Sequence, residues 1–154
     1  MRYNQVRDLV VWAADYHGRM SRQFSDRAGV ADSERLQMAL DYLAAEERRM
    51  KAGLDDVLAD ESGQQKVLNT WFDDPTDFPQ PPELEHLAQY ATYDSIESAM
   101  ETATQAHKAL QRLYEYRAEK AAIPAGADFF RSLAEGHEAE VRRIVSQFEE
   151  FNDL

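Results

Sequence analysis

Residues 36–57 read LQMALDYLAAEERRMKAGLDDV, with apolar side chains at Leu36, Leu40, Leu43, Met50, Leu54 and Val57. Glu47 completes the series, so the steps run by fours and threes, as in a helix with one buried stripe. A half-buried strand would alternate every second residue, and no stretch of the chain does so. Asp32-Ser33-Glu34 supplies an N-cap and an acidic first turn. The spacing therefore predicts a helix over 33–60.

Three further segments repeat this pattern. Upstream, Val6, Val10, Ala13, His17, Met20 and Phe24 mark a helix over 3–27, with Gly29 as its stop. Downstream, Ile96, Met100, Ala103, His107, Leu110 and Tyr114 mark one over 95–121, with Asp94 as its cap. Pro124 opens the last, over 125–151, whose stripe is Phe130, Leu133, His137, Val141, Ile144, Phe148 and Phe151. Such seams belong to nearly antiparallel packed helices. Short turns join the first and second helices and the third and fourth, giving two hairpins.

Between the hairpins, 61–94 is too long for a turn. It holds four of the five prolines. Val67, Leu68, Trp71, Phe72 and Phe78 are expected to anchor this crossover on the helices, and Pro81-Pro82-Glu83-Leu84-Glu85 to begin a short helix. The expected fold is all-α: one domain over 1–154, an antiparallel four-helix bundle with a long crossover between helices 2 and 3.

Composition narrows the function. The chain has 154 residues, no cysteine and a formal net charge of −12. Without cysteine there is no disulfide, thiolate metal site or cysteine nucleophile. The negative surface, with no basic stripe, speaks against nucleic-acid binding and against anionic membranes. The longest apolar run, Leu9 to Ala14, is far too short to span a bilayer, and the N-terminus shows no signal-type core. A cytoplasmic location is expected.

One ionisable residue sits near the middle of each stripe: His17, Glu47, His107 and His137. Counted from the connecting turns at about 1.5 Å per residue, all four reach one level. Burying such groups is costly unless they are paired or coordinated. Neutral imidazole and carboxylate are ordinary ligands for transition metals. These four residues are therefore the candidate ligands, with Glu140 added because it shares a face with His137 at i, i+3. Glu46, Asp15 and Glu101 border the seams and read as solvated. Arg48, Arg49, Arg142 and Arg143 read as surface ion-pair partners. Tyr16 and Tyr114 are expected to pack with hydrogen-bonded hydroxyls, the methionines to fill the core, and His86 to be exposed.

Residues 43–50, LAAEERRM, and 133–140, LAEGHEAE, resemble the second- and fourth-helix motifs of rubrerythrins and other ferritin-like proteins. With the hairpin–crossover–hairpin layout, the likeness covers most of the chain. It implies a metal centre inside the bundle, in which two helices each offer a Glu followed three residues later by a His, and the other two helices a Glu each. Glu47 matches the first Glu, but Met50 stands at the His position. His137 and Glu140 invert the second pair. Ala103 occupies the third-helix position, with His107 one turn later, and Asp15 or His17 is the first-helix counterpart. The resemblance thus implies a rearranged, histidine-rich site for iron first, or for zinc or manganese, with possible redox chemistry and no assigned reaction. The alternative is a non-catalytic interaction or structural bundle that retains a degenerate site, with homodimerisation through a helix face or contacts through the aromatic crossover.

Overall fold

The computed structural model describes residues 5–59, 63–72 and 82–153. Among them the chain is helical, in the order α1 (Val6–Ala28), α2 (Glu34–Leu58), α3 (Gln65–Leu68), α4 (Pro82–Tyr90), α5 (Ile96–Glu119) and α6 (Pro124–Asp153). The four long helices match the four periodic segments, with ends shifted by a few residues for local reasons. Ser33 Oγ accepts the Leu36 N–H at 3.1 Å, so α2 begins at Glu34. At α5 the cap is Ser95 and not Asp94: Ser95 Oγ accepts the Ser98 N–H, and Ser98 Oγ accepts the Ser95 N–H, each at 3.1 Å. This is a reciprocal capping box built from two serines. Pro124 is itself the first helical residue of α6, where its missing N–H costs nothing.

The extensive packing is within pairs, α1 with α2 and α5 with α6. The turns between them are short, so each pair is an antiparallel hairpin. Ser21 Oγ ties the first hairpin by donating to the Ala44 carbonyl at 3.1 Å. The hairpins meet mainly through α2 against α5 and α6. The predicted stripe of α1 is buried throughout. In α6 the stripe differs: Leu133 and Val141 are only partly buried, and Ala134 and Glu140 take inward places.

The crossover crosses α1 and α5. Tyr16 donates to the Leu84 carbonyl at 2.9 Å, and Leu84 is fully buried. Arg19 forks onto Glu85 through Nη1 and Nη2 at 3.0 and 2.9 Å. Gln23 Nε2 donates to the Leu87 and Ala88 carbonyls at 3.0 and 3.1 Å, serving carbonyls that the end of α4 leaves free. Arg112 pairs with Glu83 at 2.8 Å from the α5 side. Further back, Val67 and Leu68 are buried as expected. Phe72 is half-buried, with the Arg117 guanidinium 4.2 Å above its ring.

Trp71 corrects the expectation: it is 64% exposed and does not anchor the crossover. Its backbone pairs instead with Gln5 in an isolated antiparallel bridge beside the Val6 N–H to Thr70 carbonyl bond of 3.0 Å. Phe78 and Pro81 lie outside the described residues. No helix among the described residues is long and apolar enough to cross a membrane.

Candidate functional site

The four seam residues meet. His17 from α1, Glu47 from α2, His107 from α5 and His137 from α6 are all at least 97% buried. His17 Nδ1 lies 2.9 Å from Glu47 Oε1. His107 Nε2 lies 2.8 Å from Glu47 Oε2, and His107 Nδ1 lies 2.9 Å from His137 Nδ1. The three imidazoles form a triangle, with the His17 ring centroid 6.1 Å from that of His107 and 5.7 Å from that of His137, and the latter two 5.1 Å apart. Tyr114 stacks on His137 at 5.5 Å between centroids. Each helix delivers one group because each carries it in mid-stripe, flanked by residues that must face inward, such as Ala13 and Met20 around His17.

The protons can be assigned from the partners. Burial alone would raise the Glu47 carboxyl, but His107 and His17 outweigh it and hold Glu47 far below the usual range. Glu47 is therefore an acceptor only, and His17 Nδ1 carries a proton toward it. Burial pushes His107 down, but Glu47 opposes this and the net direction is up. Burial pushes His137 well below 6.5, reinforced by the neighbouring imidazoles, so it stays neutral. His107 faces the Glu47 carboxylate through Nε2 and His137 Nδ1 through its own Nδ1. Its approach to Glu47 is short but poorly aligned, so His107 Nε2 lacks a good hydrogen bond.

Glu140 is buried, as a ligand would be, but it faces arginines. Its Oε2 takes Arg49 at 2.6 Å and Arg143 at 3.4 Å. Its Oε1 is buried and has no hydrogen-bond partner among the described residues. Burial and the nearby Glu46 raise the Glu140 carboxyl, against the pull of His107, Arg49 and Arg143. Arg49 and Arg143 are thus not simple surface pairs. They reach inward to Glu140 and to Glu46, which they meet at 2.8 and 3.6 Å. Arg142 behaves as expected, pairing with Glu138 at 3.1 Å on the surface. Arg48 reaches Ser21 Oγ at 3.4 Å. Asp15, Glu101 and His86 are exposed. Tyr16 is held as a phenol, its titration raised by burial and by the Glu47 charge.

A cleft of about 260 Å³ leads from the α2/α6 side to His17 and His137, which the reading of the stripes missed. Gly53 and Gly136 line it. Two glycines in helix interiors, a placement that costs about 1 kcal/mol each relative to alanine, were the available signal.

Among the described residues, no three His, Asp or Glu side chains are arranged to hold a metal ion. The cause is visible in the contacts: the two nitrogens of His107 are spent on different partners, and Glu140 is turned to the arginines. The donor pairs themselves are 2.8–2.9 Å apart. The three spacings are those of a hydrogen-bonded network around Glu47 and His107. No protein-family model, characterised protein or solved structure matches the chain.

Proposed function

We propose that the chain is a ferritin-like four-helix bundle that binds a transition metal ion in its core. His17, Glu47, His107 and His137 are the ligands, and Glu140 is a further carboxylate that Arg49 and Arg143 hold in reserve. The observation that carries this reading is the burial of three imidazoles and two carboxylates among the four long helices, with His107 Nε2 and Glu140 Oε1 lacking a well-aligned partner among the described residues. Groups of this kind are costly to bury unsatisfied. Iron suits the mixed nitrogen and oxygen donors, as do zinc and manganese. A bound ion would supply Lewis-acid or redox chemistry. The chain's own residues would hold it, with Glu47 orienting the imidazoles of His17 and His107.

The test is elemental analysis of untagged protein, with the His17→Ala/His137→Ala variant beside it. Near-stoichiometric metal lost in the variant is expected. Metal that is sub-stoichiometric and unchanged in the variant refutes the reading.

A second reading is favoured by the ring orientations: a non-catalytic bundle whose core keeps a self-satisfied network around Glu47. The same double substitution then changes stability and leaves metal content alone.

A further inference from the structure

We infer that a cation position lies between Glu46 and Glu140, and that the protein fills it with its own Arg49 guanidinium. That metal in the core is thereby confined to the histidine cluster rests on the reading proposed above; the seat of the guanidinium does not.

The two carboxylates come from different hairpins, Glu46 from α2 and Glu140 from α6. Their side chains are only 13% and 1% exposed. Buried charges persist where they are paired or coordinate a metal. Glu46 precedes Glu47, and Glu140 follows His137 by about one turn, so the pair adjoins the histidine cluster.

One guanidinium answers both carboxylates. Arg49 Nε donates to Glu46 Oε2 at 2.8 Å, and Arg49 Nη2 donates to Glu140 Oε2 at 2.6 Å. An arginine fork ordinarily takes both oxygens of one carboxylate. Here it takes one oxygen from each of two, as a metal ion does between monodentate carboxylates. Arg143 Nη1 approaches the same two oxygens at only 3.6 and 3.4 Å, so it supports the pair without filling the position. Glu140 Oε1 is buried with no hydrogen-bond partner among the described residues. It is an acceptor that the planar guanidinium leaves over and an ion would take.

The position can be reached from outside. The Arg49 side chain is 53% exposed and lines the α2/α6 cleft. While it stands there, an incoming ion must displace a tethered group whose effective concentration is on the order of millimolar. Shortening Arg49 removes that competitor and leaves two carboxylates facing Arg143. Their oxygens suit a hard divalent ion such as manganese, magnesium or calcium.

The test counts manganese ions bound by chelator-treated protein, with the free ion read by electron paramagnetic resonance. Arg49→Ala is expected to bind one ion per chain more than the wild type. Adding Glu46→Gln to that variant should remove the extra ion, and Arg143→Ala alone should gain none. Methylguanidinium, at concentrations on the order of millimolar, should compete with the extra ion. It should also raise the melting temperature of metal-free Arg49→Ala and leave that of the wild type unchanged. An equal count in the wild type and Arg49→Ala overturns the inference. So does an extra ion that persists with Glu46→Gln or appears in Arg143→Ala, and so does methylguanidinium without effect. A wild type that binds no ion, beside an Arg49→Ala variant that binds one, refutes the metal reading and supports this one. Should Arg49→Ala fail to melt cooperatively, Arg49→Met takes its place. If neither does, a cooperative melt regained with methylguanidinium supports the inference, and its absence overturns it.

Discussion

The two flanks of the histidine cluster are built differently. On the α1/α5 side the crossover helix α4 lies across the hairpins, held by Tyr16, Arg19 and Gln23 from α1 and by Arg112 from α5. On the α2/α6 side no described residue covers the seam in this way, and Gly53 and Gly136 stand where α1 carries large side chains. Both flanks have apolar stripes of the same period, so periodicity is not what separates them. The difference lies in side-chain volume and hydrogen-bonding reach just outside the stripe. Trp12, Tyr16 and Arg19 fill and tie one flank, and Gly53 and Gly136 leave the other open. A core that buries ionisable groups is thereby sealed from one direction and reachable from another.

The sharpest way to break this picture is at the centre that both flanks share. Glu47→Ala strands His17 and His107 without their carboxylate. Removing one partner of a buried charged network costs about 3–5 kcal/mol. Urea denaturation should show a loss of that order. A loss under 1 kcal/mol would mean that the cluster is wetter than its burial implies.

Acidity probes the same centre. In metal-free protein His137 is kept neutral with a depressed folded pKa. Its contribution is present above about 6.5 and falls away as the unfolded chain takes up a proton below that value. His107 has a raised folded pKa, so its contribution is present below about 6.5 and is lost as pH rises through the raised value. Stability should therefore peak near neutrality and decline on both sides, by at most about 1.4 kcal/mol per pH unit for each proton. The variant His137→Phe should flatten the acid limb between pH 6.5 and 5. An acid limb of unchanged slope in denaturation midpoints would contradict the assignment.

On the sealed flank, Arg19→Ala removes the fork to Glu85 and should cost about 1 kcal/mol, since both partners are partly solvated. Amide exchange should accelerate in α4 and leave α2 and α6 unchanged. Exchange that rises equally everywhere would mean that α4 is integral to the core. On the open flank the effect is smallest and opposite in sign. Gly53→Ala and Gly136→Ala should each stabilise by up to about 1 kcal/mol, because helix propensity improves and no neighbour is struck. Destabilisation in either would mean that the cleft is narrower than it stands here.

Much of this was legible in the residues. The four long helices follow from apolar spacing and from caps at Ser33 and Pro124. The inward placement of His17, Glu47, His107 and His137 follows from the same spacing, since each is flanked on its stripe by residues with no reason to face water. Trp71 was misread because an aromatic in a crossover carries no periodicity to say which way it turns. Glu140 was named, but its company was not. Its neighbours Arg49 and Arg143 read as surface residues, because a long guanidinium side chain can leave its stem outside and bring its head in.

Helix identity and the facing of each side chain are local matters, settled by a period of 3.6 residues and by what water rejects. The amino-acid order therefore carried the elements, their hairpin pairing and the meeting of four ionisable groups at one height. Which nitrogen met which oxygen, which flank α4 covered and where the cleft opened depended on how the two hairpins settled against each other. Those outcomes rest on volumes and hydrogen bonds between residues as far as 91 positions apart, as with Arg49 and Glu140, and no periodic pattern along a chain encodes them.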